Sequence, residues 1–251
     1  MFTRLLIGLD GSPNADEALE QAVVVGKRFK SRLLVVHVRE THLLGGGRRA
    51  SDSGELLSRA EERVSDAGLP VQTVQLFGDP STELATLARD VDTVLVGKRG
   101  RSSPADGLGK TVSALIRIAE RSVIVCASKP SPMNSCAIAY DGRPTAQRAL
   151  AAVARFASVT QSTVHIIHAT IDPAIGILVV GEAEAVLSLQ GVAFETHIER
   201  GTPGEAVARV VQRIGCDALF AGAHVGQRAQ VTASHAEEIL QQTDIPVVIE
   251  P

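Results

Sequence analysis

Residues 7–38 of the chain read IGLDGSPNADEALEQAVVVGKRFKSRLLVVHV, and residues 138–169 read IAYDGRPTAQRALAAVARFASVTQSTVHIIHA. The two stretches align without a gap at a constant offset of 131, and nine of their 32 positions are identical. Later landmarks recur in the same order, since DTVLVG at residues 92–97 is matched by DALFAG at residues 217–222. A repeat of this length indicates a duplicated domain and not a solenoid unit.

The repeat predicts two domains, which we place at residues 1–130 and residues 133–251. The segment between them, SKPSP at residues 128–132, carries two prolines within three residues. Prolines at this spacing interrupt regular structure, as expected of a domain boundary.

Each half alternates predicted strands with predicted helices. Apolar runs that end at turn residues predict buried strands at residues 5–9, 33–38, 71–76, 93–97 and 123–126. The first helix starts after Ser12, which can cap it, and later helices are predicted at residues 56–67, 82–89 and 111–119. Residues 45–49, GGGRR, are predicted to form a mobile loop. This order predicts the α/β class, with two tandem doubly wound domains, each a five-stranded parallel sheet flanked by helices.

Composition excludes several classes of function. The chain has 251 residues, a net charge of −3 and only 3% aromatic residues, so it lacks the basic and stacking surfaces that bind nucleic acid. Its apolar runs are shorter than the ~18 residues of a membrane span, and its first ten residues do not resemble a signal peptide. We therefore expect a soluble, cytoplasmic protein. Its cysteines are widely spaced and its histidines form no ligand motif, which predicts neither disulfides nor a metal site.

A ligand site is expected where the strand order of such a sheet reverses, beyond the carboxyl ends of the strands. Asp10, Gly11 and Ser12 follow the first strand, and Gly97 ends the fourth. The Asp10 carboxylate could accept hydrogen bonds from a ribose, or it could start a turn by accepting from its own backbone. The residue types alone do not decide between these two roles of Asp10.

The loop after the fourth strand favours an anion. It reads GKRGRSSPADGLGKT at residues 97–111 and leads into a helix, whose N-terminal amides attract phosphate. Lys110 adds a positive charge and Thr111 a hydroxyl. The ending GKT is similar to a Walker A loop, but that motif requires glycine where Pro104 stands. The other interpretation of residues 97–111 is a flexible connector between the strand and the helix.

These motifs together resemble those of the universal stress protein (UspA-like) family, over nearly all of both halves. The family's glycine pattern has counterparts here in Gly97, Gly100, Gly109 and Thr111. The spacing differs slightly, because eight residues separate Gly100 from Gly109, one fewer than in the family, and Lys110 precedes Thr111.

The resemblance implies a site and a ligand. The fold would be that of the adenine nucleotide alpha hydrolases, with the two domains paired about a pseudo-twofold axis. The resemblance leaves open whether two copies of the chain form a homodimer. ATP, which Mg²⁺ can accompany, would be the ligand. Asp10 would face the ribose, the backbone of Val38 would meet the adenine, and Gly97, Gly100, Gly109 and Thr111 would hold the phosphates.

The second half departs further from this pattern. Three residues separate Gly222 from Gly226, and Ala233 stands where the family has its third glycine, although Ser234 keeps the hydroxyl. We expect a degenerate site there. Function is expected to be ATP binding in the stress response, without catalysis beyond slow ATP hydrolysis; the alternative is an interaction scaffold of the same family that binds no nucleotide.

Overall fold

The computed structural model of the chain describes residues 2–40, 48–101, 103, 107–223 and 235–251. The chain forms two compact units, Met1–Pro130 and Ser131–Pro251. Each unit is a parallel sheet with helices packed against it, so the predicted α/β class with two tandem domains is confirmed.

The first unit contains five strands and four helices within its described residues. In chain order they are β1 (Arg4–Leu9), α1 (Pro13–Phe29), β2 (Arg32–Arg39), α2 (Arg48–Asp66), β3 (Val71–Phe77), α3 (Pro80–Ala88), β4 (Thr93–Gly97), α4 (Lys110–Ile118) and β5 (Ser122–Cys126). The strand order is β3-β2-β1-β4-β5, and every neighbouring pair is parallel. The order therefore reverses between β1 and β4.

The second unit repeats this arrangement. Its elements are β6 (Cys136–Ala139), α5 (Pro144–Thr160), β7 (Val164–Ala169), α6 (Pro173–Leu189), β8 (Phe194–Glu199), α7 (Pro203–Ile214), β9 (Ala218–Gly222), α8 (His235–Gln242) and β10 (Val247–Glu250). The order β10-β9-β6-β7-β8 is again parallel throughout.

Helix α1 packs closely on the sheet through its small residues. Ser12 caps the helix, since its Oγ accepts the amide of Ala15 at 3.2 Å, and Pro13 occupies the first turn. The buried face of the helix includes Ala15, Ala18, Leu19, Ala22 and Gly26. Short side chains let the helix axis approach the strands, which brings the first turn of α1 against the end of β4.

The prediction of a loop at residues 45–49 was wrong for Arg48 and Arg49, which begin helix α2; residues 45–47 lie outside the described residues. Arginine is a good helix former, and α2 buries an apolar stripe against the sheet. That stripe includes Leu56, Leu57, Ala60 and Val64. Within the described part of the chain, no helix is both long and apolar enough to cross a membrane.

Candidate functional site

A pocket of about 760 Å³ opens at the carboxyl ends of β1, β2 and β4 in the first unit. It lies where the strand order reverses, as the sequence predicted for a ligand site. Seven of the predicted site residues line it: Asp10, Val38, Gly97, Gly100, Gly109, Lys110 and Thr111.

At the rim of this pocket, Asp10 accepts hydrogen bonds from two loops, the turn after β1 and the loop after β4. Its Oδ1 accepts the amide of Ser12 at 2.9 Å, and its Oδ2 accepts the amide of Arg101 at 2.7 Å. The first of these hydrogen bonds forms a local turn, which is one of the two roles that the sequence allowed for Asp10. A carboxylate has about four acceptor positions, so Asp10 keeps capacity for a ligand hydroxyl as well.

Gly11 and Ser12 do not line the pocket but shape the turn beside it. Gly11 has φ +74°, a left-handed conformation that strains any residue with a Cβ. Its carbonyl accepts a hydrogen bond from the Arg101 guanidinium at 3.4 Å. Ser12 is buried, and its Oγ donates to the carbonyl of Arg99 at 3.4 Å. These two residues therefore hold the β1 turn against the loop that follows β4.

The glycines of the β4 loop are needed for close approach and not for a special backbone angle. Gly97, Gly100 and Gly109 all have φ outside the left-handed region. A Cβ on Gly97 would lie 2.4 Å from the backbone oxygen of Asn14, and one on Gly100 would lie 2.6 Å from Asp10 Oδ2. Both contacts are closer than any Cβ tolerates.

Ser103 is a pocket residue that sequence reasoning missed. Its Oγ accepts the amide of Gly100 at 2.9 Å and would lie 2.9 Å from a Cβ on Gly109. The amide of Gly109 in turn donates to the carbonyl of Lys98 at 3.0 Å. The loop thus closes on itself before α4 begins. The sequence signal that could have identified Ser103 is its position between Gly100 and Gly109.

Helix α4 begins at the pocket with Lys110 and Thr111 in its first turn. Gly109 is the N-cap and offers no side chain to accept the first amides of the helix. Such amides and the helix dipole favour an anion. Lys110 is exposed and Thr111 is half-buried, so both are accessible to a ligand.

Among the described residues, the lining of the pocket carries more positive than negative charge. Sequence reasoning identified Lys110 but missed four arginines. Two of them, Arg99 and Arg101, lie in the loop that leads into Lys110, and the other two come from β2 and α2. The cationic residues are Arg39, Arg59, Arg99, Arg101 and Lys110, and the carboxylates are Asp10, Glu40 and Glu55. This balance of five to three suits an anionic ligand.

The second unit keeps the turn but its loop is not described. Asp141 Oδ1 accepts the amide of Arg143 at 3.1 Å, and Gly142 has φ +77°, as at Asp10 and Gly11. Residues 224–234, with Gly226, Ala233 and Ser234, lie outside the described residues. The degenerate second site therefore stays a prediction.

Comparison with known proteins gives a consistent result. A model described as the universal stress protein family matches residues 1–127 and 176–251. Universal stress protein Slr1230 of Synechocystis sp. is 29% identical over 201 aligned positions, in a match that covers 77% of this chain and 70% of that protein. Universal stress protein YxiE of Bacillus subtilis is 27% identical over 122 residues, covering 41% of this chain and 82% of that protein.

A solved structure shares the fold over the whole chain. The crystal structure of a universal stress protein from Archaeoglobus fulgidus DSM 4304 superposes with a TM-score of 0.84. The match covers 99% of this chain and 98% of that one, at 21% sequence identity. At this identity the likeness establishes the fold, and the site must be judged on its own geometry.

Proposed function

The chain belongs to the universal stress protein family, and we propose that its first unit binds an adenine nucleotide, with ATP as the favoured ligand. The observation that carries this proposal is that Asp10 and the N-terminus of α4 line one pocket. A carboxylate suited to ribose hydroxyls and a helix end suited to phosphates are the two polar requirements of a nucleotide.

The size and lining of the pocket support a ligand of this class. A volume of about 760 Å³ lies within the ~300–1,000 Å³ typical of small-molecule sites. Apolar residues, among them Val38 at the end of β2, would face the base, and the arginines with Lys110 would meet the phosphates. Mg²⁺ would accompany the phosphates as part of the bound nucleotide.

We propose that the protein acts in the stress response by binding and not by turnover. The Asp10 carboxylate is engaged by two backbone amides, which suits it to positioning a ligand. Mass spectrometry of the small molecules that co-purify with the full-length protein is the direct test. Recovery of ATP or ADP supports the proposal. An empty pocket that also fails to take up ATP at millimolar concentration would favour the scaffold function instead.

Lys110→Ala is expected to weaken ATP binding by about 10- to 150-fold and to leave adenosine binding nearly unchanged. The range corresponds to the ~1.5–3 kcal/mol of a hydrogen bond to a charged group. Adenosine lacks the phosphates that Lys110 would contact. Isothermal titration calorimetry with both ligands measures the contrast.

Lys27→Ala is the matched control for this experiment, since Lys27 is an exposed lysine of α1 outside the pocket. It should bind ATP as the wild type does. Equal losses for ATP and adenosine in Lys110→Ala would contradict a phosphate contact and indicate a change in the loop.

A further inference from the structure

A second cluster of chemically active side chains lies on the sheet of the second unit, on strands β7 and β8. His165 Nδ1 lies 3.2 Å from His197 Nε2 and 3.5 Å from Glu195 Oε2. One ligand atom from each residue lies within 4.8 Å of the other two. The candidate pocket belongs to the first unit, and the proposed function makes no use of this cluster.

We propose that His165, Glu195 and His197 form a binding site for a borderline divalent transition-metal ion, Zn²⁺ in the first instance. Two imidazoles and one carboxylate are a ligand set that zinc uses in proteins, with water in the fourth position.

The spacing of the ligand atoms fits a metal ion between them. Zinc–nitrogen and zinc–oxygen bonds of about 2.0–2.2 Å in a tetrahedron place neighbouring ligand atoms about 3.3–3.5 Å apart. The distances of 3.2 Å and 3.5 Å are close to that separation, and the third distance is within 4.8 Å. A hydrogen bond between two neutral rings would explain the first distance, but it would not require the Glu195 carboxylate at the second.

The strand register builds this cluster. In the parallel pairing of β7 with β8, His165 lies opposite Glu195, and Ile167 lies opposite His197. Residues two apart on a strand share a face of the sheet, so all three ligands project to one side. His165 is largely buried and Glu195 is 65% exposed, so a rigid ring lies beside a carboxylate that is free to adjust.

The surroundings are compatible with a cation. Arg213 of α7 is a nearby positive charge, and Glu199 pairs with it at 2.7 Å.

The first unit contains the equivalent pair of strands without this set of metal ligands. At the equivalent positions of β2 and β3, Leu34 lies opposite Gln72, and Val36 lies opposite Val74. Leu34, Gln72 and Val74 thus replace His165, Glu195 and His197, and they form no metal-ligand set. The fold itself does not demand histidines here, so the ligand set is particular to the second unit.

The test measures zinc binding by the full-length, tag-free chain after removal of metal with a chelator. Wild type should bind about one Zn²⁺ per chain at this site by calorimetry, and Co²⁺ should give the visible absorption of tetrahedral coordination. The triple variant His165→Leu, Glu195→Gln, His197→Val installs the first unit's residues. Its zinc affinity should fall by about 100-fold or more, since even outer-shell substitutions cost 10- to 100-fold.

Two further variants keep the outcome interpretable. Glu195→Gln alone changes an exposed side chain and should weaken zinc binding with the thermal unfolding curve of the apo protein unchanged. His235→Gln removes an exposed histidine of α8 and should bind zinc as the wild type does. Zinc binding that is absent in wild type, or equal in wild type and triple variant, would overturn the proposal and leave a histidine–histidine hydrogen bond only. No nucleotide is present, so the result is independent of ATP binding.

Discussion

If the first unit binds ATP as proposed, Gly100→Val is expected to abolish this binding, with a loss of affinity above about 100-fold. A Cβ at Gly100 would lie 2.6 Å from Asp10 Oδ2, the atom that accepts the amide of Arg101. Valine must therefore separate Asp10 from the β4 loop. That movement would displace both the carboxylate proposed to contact the ribose and the loop proposed to contact the phosphates, and each charged hydrogen bond lost costs about 1.5–3 kcal/mol.

Calorimetry with ATP and thermal unfolding by circular dichroism together measure this effect. The melting temperature should change little, because Gly100 is half-exposed on a loop and lies outside the core. Gly54→Ala is the control, since Gly54 lies between two pocket residues on α2 and a Cβ there meets nothing within 4 Å. Normal ATP affinity in Gly100→Val would remove the phosphate site from this loop and favour the scaffold function.

Gly97→Val should lower the free energy of unfolding by about 3 kcal/mol or more, at the upper end of the cost of overpacking. A Cβ at Gly97 would lie 2.4 Å from the backbone oxygen of Asn14, which cannot rotate away as a side chain could. Helix α1 must then move off β4. In the second unit, a Cβ at Gly222 would lie 2.4 Å from the backbone carbonyl carbon of Thr145, so Gly222→Val should have a similar effect.

Urea unfolding followed by circular dichroism measures these losses, because the chain has no tryptophan to report by fluorescence. Gly181→Ala is the contrasting variant. It lies in α6 where a Cβ meets nothing within 4 Å, so a gain of about 0.4–1 kcal/mol is expected. A stability of Gly97→Val equal to that of wild type would show that α1 does not need this close approach.

The positions of the strands could be predicted from the sequence because they depend on local periodicity. Strand β4 matches the predicted residues 93–97, and the Ser12 cap of α1 is present as expected. Helix α2 could not be bounded in this way. Its start at Arg48 follows three glycines, and its first residues are mostly polar. Their local preference is ambiguous until the apolar stripe further along the helix packs on the sheet.

The candidate pocket was predictable only in outline. Asp10, the glycines and Lys110 lie in two segments that any parallel α/β sheet brings to its carboxyl edge. Arg39 and Arg59 reach the same pocket from β2 and α2, and no spacing in the sequence connects them. The prediction that the chain has no metal site likewise considered sequence motifs alone, whereas His165 and His197 meet through strand register.

The sequence by itself determined the duplication, the α/β class and the family, because these depend on repeat identity and on hydrophobic patterns that each segment carries alone. The tertiary structure decided why particular residues are needed. Gly97 is glycine because a helix backbone lies 2.4 Å from where its Cβ would be, and Asp10 binds the amide of Arg101, which lies 91 positions away. Such requirements arise from distances between segments that are remote in the chain, and those distances exist only once the sheet has formed.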